Sequence, residues 1–350
     1  MSRLRVLVTG AIGYIGSIIA HVLISAGISV RGLDAGIFSQ GCFYRKDAFE
    51  SRFKMERLIT KDVRDITNND IAGCDAVVDF AGLANDPTGE LNPTWTDEIN
   101  HKASVRLAEL SRQFGISRYI FASSCSVYGN QENSLLTEEA QLSPLSEYAK
   151  AKKAAESGIL ALANARFHPT IFRNATAFGA SPRMRLDLVI NNLTASGVAT
   201  GKIRLLSDGT AWRPNVHIED IGRAALACLQ TDTSLTSGHI FNVGSTSENY
   251  QVRDLARIVS ATLHCDIEYN KSTTKDARSY RVSFEKIHKH LTNYRPKWTV
   301  ESGVKELNEA FQENKFNYTE FQRHSYYNIS TVKDRLNAGD FDETLRLRQH

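Results

Sequence analysis

The sequence predicts an α/β fold in which a doubly wound parallel sheet is followed by a smaller C-terminal portion. Three observations predict it. Short apolar runs rich in β-branched residues alternate with helical stretches through the first 175 residues, as is typical of a parallel sheet covered by helices on both faces. A glycine-rich turn directly follows the first apolar run. Beyond about residue 174 the alternation becomes irregular, and helical stretches are separated by short strands.

Length and composition exclude several classes of protein. The 350 residues suffice for one large core or two modest ones, and a net charge of +3 does not indicate a nucleic-acid or membrane surface. The five cysteines are scattered and lack Cys-x-x-Cys spacing, which argues against a disulfide framework and a zinc site. We therefore expect no metal, no nucleic acid and no membrane partner. The N-terminus enters a strand without a signal-peptide pattern, so we expect a cytoplasmic location.

The first strand, turn and helix carry a phosphate-binding pattern. Residues 4–8 are predicted as an apolar strand, and a helical run follows at 17–26. Gly10, Gly13 and Gly16 stand between them, with spacing that suits a tight turn, close approach of a pyrophosphate and close helix packing. The helix N-terminus adds partial positive charge. A plain strand-turn-helix corner is the alternative, but the full context favours a dinucleotide-binding Rossmann domain.

An acidic residue indicates which dinucleotide binds. Asp34 ends the second predicted strand, at 29–33, roughly 20 residues after the glycines, where a carboxylate binds a ribose diol and repels a 2′-phosphate. NAD is therefore favoured over NADP. Arg31 is a possible counter-indication. Because side chains alternate along a strand, we expect Arg31 to face away from Asp34.

The remaining elements continue the alternating series and then depart from it. In the first part we predict strands at 58–60, 75–80, 118–122 and 170–172, and helices at 92–114 and 148–165. Beyond it we predict helices at 186–196, 218–229, 252–263, 300–313 and 332–336, and strands at 203–206 and 239–243. These patterns divide the chain into an NAD-binding domain (1–175), a mainly substrate-binding portion with segments that return to the sheet (176–315), and a C-terminal extension of unassigned role (316–350).

Tyr148 and Lys152 are candidate catalytic residues. They lie four apart at the start of an alanine-rich helical stretch, so their side chains share one face. The phenol has an ordinary pKa of about 10 and needs a nearby ammonium group to act as a base near neutral pH. Ser124 follows the predicted strand at 118–122 and can share the proton. Ser123 is a rival, but alternation directs it to the opposite face.

With the glycine turn, Asp34, Ser124 and the Tyr148/Lys152 pair in chain order, the sequence resembles the extended short-chain dehydrogenases/reductases. More narrowly, it resembles their NAD-dependent nucleotide-sugar epimerase/dehydratase family, which includes the UDP-galactose 4-epimerases. The similarity covers roughly the first 310 residues. The resemblance implies NAD as cofactor, a nucleotide-diphosphate sugar as substrate, and a homodimer formed by the helices around Asn100 and Tyr148.

The resemblance also implies contact residues. For NAD these are Gly10, Gly13, Tyr14, Ile15, Gly16, Asp34, Asp62, Val63, Phe80, Ala81, Gly82, Tyr148 and Lys152. For the substrate they are Ser124, Ser126, Thr176, Asn192, Arg213 and Arg278. Three of these keep an alternative reading: Ser126 could only shape its loop, Asn192 could cap a helix, and Arg213 could be a surface charge.

Three departures from the family pattern bear on the reaction. Cys125 and Ser126 stand where the dehydratases carry Asp-Glu, so the acid and base needed to eliminate water are missing. The decarboxylases keep a glutamate there, so the same gap disfavours decarboxylation. Thr176 replaces the usual asparagine of a substrate-contacting segment, and Ala84 stands where the galactose epimerases have a cofactor-binding lysine.

The predicted function is epimerisation of a nucleotide sugar, at C4 through a transient 4-keto intermediate. Two alternatives remain open. One is a reductase or dehydrogenase of a 4-keto (deoxy)sugar nucleotide that exchanges its NAD(P)H. The other is a dinucleotide-sensing protein without turnover, which has no reason to retain Ser124, Tyr148 and Lys152 together.

Overall fold

The computed structural model describes residues 4–43, 54–205, 207–269 and 278–348. Leu206, the end of the strand predicted at 203–206, lies outside them, as do the outermost residues of the predicted segments 1–175 and 316–350. The strands are β1 (Arg5–Thr9), β2 (Ser29–Asp34), β3 (Arg57–Thr60), β4 (Ala76–Asp79), β5 (Arg118–Ser124), β6 (Asn130–Leu136), β7 (His168–Asn174), β8 (Thr176–Phe178), β9 (Lys202–Leu205), β10 (Trp212–His217), β11 (Ile240–Val243), β12 (Asn249–Gln251), β13 (Asp266–Tyr269) and β14 (Ser279–Val282).

The helices follow the same order along the chain. They are α1 (Gly16–Ser25), α2 (Asn68–Ile71), α3 (Asp86–Gly89), α4 (Pro93–Asp97), α5 (Ala103–Gln113), α6 (Glu147–Leu160), α7 (Val189–Thr200), α8 (Ile218–Gln230), α9 (Val252–Leu263), α10 (Glu285–His290), α11 (Val300–Glu313), α12 (Tyr318–Phe321) and α13 (Asn328–Asn337). A π-helical turn, Glu98–Lys102, joins α4 to α5. Among these described helices, none is both long and apolar enough to cross a membrane.

Seven strands form one parallel sheet in the order β11-β7-β5-β4-β1-β2-β3. The chain winds outward from β1 in one direction and from β4 in the other, which confirms the predicted doubly wound sheet. Ligands of such sheets bind at the carboxyl ends of the strands where the order reverses. Here that point lies between β1 and β4, just after Thr9 and Asp79.

Alternating side chains of the sheet build two apolar layers. In β1, Val6 and Val8 pack with Ile19 of α1, whereas Leu7 packs on the other face with Leu107 of α5. All five of these side chains are fully buried. Each such residue contributes about 1.5–3 kcal/mol by leaving water, and together these layers fix the strand ends that carry the site.

The C-terminal portion has its own core and also reaches the sheet. Ile190 of α7, Leu255 of α9 and Val304 of α11 are fully buried in a third apolar cluster. Three small sheets accompany it: β12-β10-β8, β13-β9 and β14-β6. β11 leaves this portion and pairs in parallel with β7, at the edge of the large sheet.

The predicted elements differ from the observed ones in two instructive ways. The helix predicted at 148–165 ends at Leu160, because Asn164 and Phe167 form an antiparallel bridge that turns the chain into β7. The strands β6, β8, β10, β12, β13 and β14 were not predicted. They are short and lie in the small sheets, where pairing depends on contacts between distant parts of the chain. Such contacts leave no local pattern.

Candidate active site

The turn after β1 forms a tight backbone cradle. Gly10 adopts a φ of +64°, and a Cβ atom at Gly10 would lie 2.8 Å from the Phe80 carbonyl oxygen. A Cβ atom at Gly16 would lie 2.0 Å from the Gly10 carbonyl oxygen, so only glycine fits at the start of α1. The first turn of α1 holds no acidic residue, which leaves its positive end available to an anion. The cradle therefore fits a dinucleotide pyrophosphate.

Asp34 lies at the end of β2 with its carboxylate held in place. Its oxygens accept hydrogen bonds from the backbone amides of Ile12 (3.2 Å) and Gly36 (2.8 Å). Burial raises the pKa of Asp34, and these two amides oppose that rise. Arg31 points to the other face, where it donates to the carbonyls of Asp70 (3.0 Å) and Ala72 (2.9 Å). The expectation that Arg31 faces away from Asp34 is confirmed.

These elements open into one groove at the carboxyl end of the sheet. The predicted dinucleotide residues that line it are Gly10, Gly13, Tyr14, Ile15, Gly16, Asp34, Asp62, Val63, Phe80, Ala81 and Gly82. Within this set, Asp62 is paired with the guanidinium of Arg64, 2.7 Å away. The Tyr14 hydroxyl donates to the Gly179 carbonyl (2.8 Å) and accepts from Asn191 (2.9 Å), which ties the glycine turn to the C-terminal portion.

A network that sequence reasoning missed fixes the two strand ends beside the groove. The Thr9 hydroxyl donates to Asp79 (2.6 Å) and accepts from the amides of Phe80 and Ala81 (3.1 and 3.0 Å). In the π-helical turn, Asn100 is fully buried and bonds both the amide and the carbonyl of Leu83 (2.8 and 2.9 Å). The 80–83 segment is therefore held on both sides.

Ser124, Tyr148 and Lys152 come together in a second cleft, which adjoins the groove. Ser124 ends β5, whereas Tyr148 and Lys152 lie one turn apart at the start of α6. The Ser124 hydroxyl accepts a hydrogen bond from the Ser126 amide (3.1 Å) and lies near enough to the Tyr148 phenol to lower the pKa of that phenol. The Lys152 ammonium lies 5.9 Å from the centre of the Tyr148 ring. Groove and cleft share the lining residues Ile15, Phe80, Gly82, Ala84 and Arg185, so the two are continuous.

The electrostatics of this triad differ from the sequence expectation in one respect. Burial, with the charge of Asp86, raises the pKa of Tyr148 to about 12, while the Arg185 charge and the nearby Ser124 hydroxyl lower it. Lys152 is not among the groups that lower it. Burial lowers the pKa of Lys152 itself to about 8, against the opposing carboxylates of Asp79 and Glu156. In the NAD-free protein, the Lys152 ammonium therefore loses its proton at a lower pH than an ordinary lysine does.

Ser123 and Cys125 flank Ser124, but their side chains are bonded to buried groups of the core. The Ser123 hydroxyl donates to Glu156, which forms a buried ion pair with Arg173 at 2.7 Å. The Cys125 thiol donates to the Arg173 carbonyl (3.2 Å), and burial raises its pKa well above the ordinary range. Neither residue is available to the cleft as an acid or a base. The expectation that Ser123 points to the face opposite Ser124 is confirmed.

The predicted substrate residues all line the second cleft: Ser124, Ser126, Thr176, Asn192, Arg213 and Arg278. The Ser126 hydroxyl oxygen is buried and has no hydrogen-bond partner within the described part of the chain, as is also true of the Asn174 side-chain oxygen. Asn192 donates to the Leu186 carbonyl at 2.9 Å. Arg213 donates to the Arg278 carbonyl, and Arg278 forms an ion pair with Asp86.

A further set of residues at the junction of groove and cleft was not predicted. Arg183 and Asn328 line the groove, Asp187 and Tyr327 line the cleft, and Arg185 lines both. The Arg185 guanidinium forms a fork with Asp187, at 2.9 and 3.2 Å. The only pattern that could have indicated them is the Arg-x-Arg-x-Asp run at 183–187. Among the residues that the structure describes, no group of His, Cys, Asp or Glu is arranged to hold a metal.

Comparison with known proteins now decides the family. Residues 6–244 match the NAD-dependent epimerase/dehydratase family. The chain belongs to this family. It is accordingly an enzyme of the extended short-chain dehydrogenase/reductase type, and NAD is its cofactor, as the glycine turn and Asp34 predict. The residues of the groove fit that cofactor, because the glycine cradle leaves room for its pyrophosphate.

Three similar proteins illustrate the range of the family. The chain is 26% identical to UDP-glucose 4-epimerase of Bacillus subtilis over 76% of this chain and 84% of that protein. It is 21% identical, with a TM-score of 0.75, to UDP-glucuronic acid 4-epimerase of Bacillus cereus bound to UDP-glucuronic acid and NAD, covering 89% and 99% of the two chains. It is 23% identical, with a TM-score of 0.76, to a dTDP-glucose 4,6-dehydratase of Streptomyces venezuelae, covering 89% and 98%. The two solved structures, the Bacillus cereus epimerase and the Streptomyces venezuelae dehydratase, share the fold of this chain.

Proposed function

We propose that this enzyme is a nucleotide-sugar 4-epimerase that oxidises and re-reduces one sugar carbon with a single bound NAD. The observation that carries the proposal is that Ser124, Tyr148 and Lys152 line one cleft together, where the groove meets it, with the Lys152 ammonium 5.9 Å from the centre of the Tyr148 ring. No acid accompanies these residues at 125 and 126, since Cys125 is a buried thiol bonded to a carbonyl. The site is equipped for proton and hydride exchange at a hydroxyl-bearing carbon, without elimination of water.

The chain's own residues would act as follows. Tyr148 removes the proton from the sugar hydroxyl and later returns it, and the neighbouring Ser124 hydroxyl can share that proton. Lys152 is 4% exposed and lies beside the Tyr148 ring, and in its protonated form its charge favours the phenolate. NAD, when bound, supplies the hydride acceptor. Epimerisation further requires that the keto sugar turn within the cleft before the hydride returns.

The cleft supports a diphosphate-linked sugar as substrate. Arg213 and Arg278 give it positive charge, and guanidinium groups suit phosphate oxygens. Ser126 and Thr176 offer hydroxyls at the end nearer Ser124, and the unpartnered Ser126 oxygen favours sugar binding over a loop-shaping role. The names of the relatives make UDP-sugars, UDP-glucose and UDP-glucuronate first, the candidates to test.

The test measures the cofactor and the reaction separately. Purified protein is denatured, and released dinucleotide is measured by mass spectrometry. Intact protein is incubated without added cofactor with UDP-glucose, UDP-galactose, UDP-glucuronate or UDP-galacturonate, and NMR follows the conversion of each sugar to its C4 epimer. We expect retained NAD and conversion in both directions. Stoichiometric oxidation of added NADH or NADPH by a keto sugar, without epimerisation, would instead identify a reductase.

Three finer features belong to the same proposal. We infer a homodimer formed by α5 and α6, a cytoplasmic location and a role in carbohydrate biosynthesis. The buried free thiols Cys74, Cys125 and Cys228 support a reducing compartment. Light scattering of the purified protein tests the dimer, with a mass near twice 39.0 kDa as the expected result.

A further inference from the structure

The last part of the chain, residues 316–348, packs against the adenosine side of the NAD groove. We call it the C-terminal segment. Its residues Val332, Phe341 and Leu345 are 0–4% exposed and share an apolar layer with Leu33 and Val63, which line the groove. Burial of this extent makes the C-terminal segment part of the dinucleotide-binding core, a role that could not be assigned from its sequence.

A first polar anchor of the C-terminal segment holds the loop after β2. The Arg335 guanidinium donates to the carbonyls of Ile37 (2.7 Å) and Gly36 (3.3 Å) and pairs with Asp340 (2.7 Å). The amide of Gly36 in turn donates to Asp34, the residue expected to bind the adenosine ribose. Arg335 thus fixes the loop that orients this carboxylate.

A second anchor lies beside the pair predicted to contact adenine. Arg64, which follows Asp62 and Val63, donates to the Thr344 carbonyl at 2.7 Å. Next to it, Arg346 forms an ion pair with Asp65 at 3.1 Å. The C-terminal segment is therefore attached to both of the loops that follow β2 and β3.

A third anchor reaches the junction of groove and cleft. Asn328 is 2% exposed and lines the groove. Its side chain accepts a hydrogen bond from Arg183 (2.8 Å) and donates to the Ala84 carbonyl (3.4 Å), and its amide donates to Asp187 (3.3 Å). Its neighbour Tyr327 lines the cleft. One continuous segment thus touches both ends of the dinucleotide site.

We propose that the C-terminal segment retains NAD between turnovers, with Asn328 and Arg335 as the residues that position the groove around the cofactor. The inference rests on the dinucleotide site of the proposed function. An epimerase must return the hydride from the same cofactor molecule that took it, so slow dissociation serves this reaction and opposes a cofactor-exchanging reductase. The anchors hold the loops after β2 and β3, the Ala84 backbone and the Arg183 side chain around the groove, so loss of an anchor should loosen these loops and speed the release of NAD.

The test is the rate of cofactor exchange in the full chain. NAD-loaded protein is mixed with excess isotope-labelled NAD, and mass spectrometry of denatured samples follows uptake of the label. Arg335→Ala and Asn328→Ala are expected to exchange at least about tenfold faster than wild type, as loss of hydrogen bonds involving charged groups implies. Lys333→Ala, an exposed position on the same helix, is the matched control and is expected to exchange as wild type does.

Two further comparisons keep the test decisive. Arg346→Ala alters a side chain that is 35% exposed, so it weakens an anchor without opening the core. If a buried variant does not fold, faster NAD exchange in Arg346→Ala than in Lys333→Ala supports the proposal. Exchange in these variants at the rate of Lys333→Ala would overturn the proposal, as would rapid exchange in wild type. If NAD is retained as expected but no UDP-sugar is epimerised, the retention stands and the proposed function fails.

Discussion

The dinucleotide groove and the substrate cleft meet at one junction, but they are built from different parts of the protein. Backbone shapes the groove: a glycine turn and the ends of neighbouring parallel strands supply most of its wall. Its carboxylates, Asp34 and Asp62, are already bonded within the protein. The cleft is walled by side chains from both portions of the chain, and it contains the unpartnered oxygens of Ser126 and Asn174.

This difference indicates how each region works. A groove with bonded carboxylates and close backbone contacts is preformed, which suits a resident cofactor. Buried polar atoms without partners cost free energy until a ligand satisfies them. The cleft therefore holds buried oxygens that have no hydrogen-bond partner within the described part of the chain, and a sugar with several hydroxyl groups can bond to them. Substitutions that affect one region but not the other test this division.

The largest expected effect comes from a substitution of Tyr148, which lies where the groove meets the cleft. Tyr148→Phe removes the proton-transfer group and keeps the ring, so we expect kcat to fall by about 10²–10⁴-fold. NAD content should stay at the wild-type level, because the hydroxyl is not part of the glycine cradle. Turnover is measured by NMR of the sugar product and NAD by mass spectrometry. Loss of NAD together with activity would show that groove and cleft are not separable.

The next effect concerns Lys152, buried at the same junction. Its folded-state pKa of about 8 lies below the ordinary value of 10.5, so the unfolded chain binds more protons between these two pH values. Stability of the NAD-free protein is therefore reduced below pH 8 and rises as pH increases toward 10.5, by up to about 3 kcal/mol. Lys152→Met removes this dependence.

The measurement is the free energy of unfolding from urea titrations at pH 7, 8, 9 and 10. The difference between Lys152→Met and wild type should shrink as pH rises. A difference that stays constant would mean that Lys152 keeps its proton in the folded protein, held by Asp79 and Glu156.

A smaller effect tests the backbone character of the groove. In Gly16→Ala the added Cβ meets the Gly10 carbonyl oxygen at 2.0 Å, and neither backbone segment can move freely. We expect a loss of about 1–3 kcal/mol of stability and of most bound NAD. Gly27→Ala is the control: unlike Gly16, Gly27 has a positive φ (+83°), so its substitution strains the backbone, but no atom lies within 4 Å of the added Cβ, so NAD should remain. Equal NAD content in both variants would argue against a cradle fixed by backbone contact.

The same division explains what could be predicted from the sequence. The groove and the catalytic residues were predictable because their determinants are local: glycine spacing and one acid at a strand end for the groove, and two residues one helical turn apart for the cleft. Asn328 could not be predicted, since it contacts Arg183, 145 positions away in the chain. The raised pKa of Tyr148 was also beyond the sequence, because it follows from burial and from Asp86 on another helix. Both depend on contacts between residues that lie far apart in the chain.

The smallest effect compares two hydroxyls of the same strand end. Ser126→Ala removes an unpartnered buried oxygen of the cleft, so we expect kcat/KM to fall about tenfold while the free energy of unfolding stays constant or rises. Ser123→Ala removes a hydroxyl bonded to the buried Glu156, so we expect a loss of about 1–3 kcal/mol of stability. Urea titration and steady-state kinetics on both variants give the comparison. If Ser126→Ala lost stability and kept its kinetics, Ser126 would shape the loop. Of the two buried oxygens, only that of Asn174 would then be left to bind the substrate.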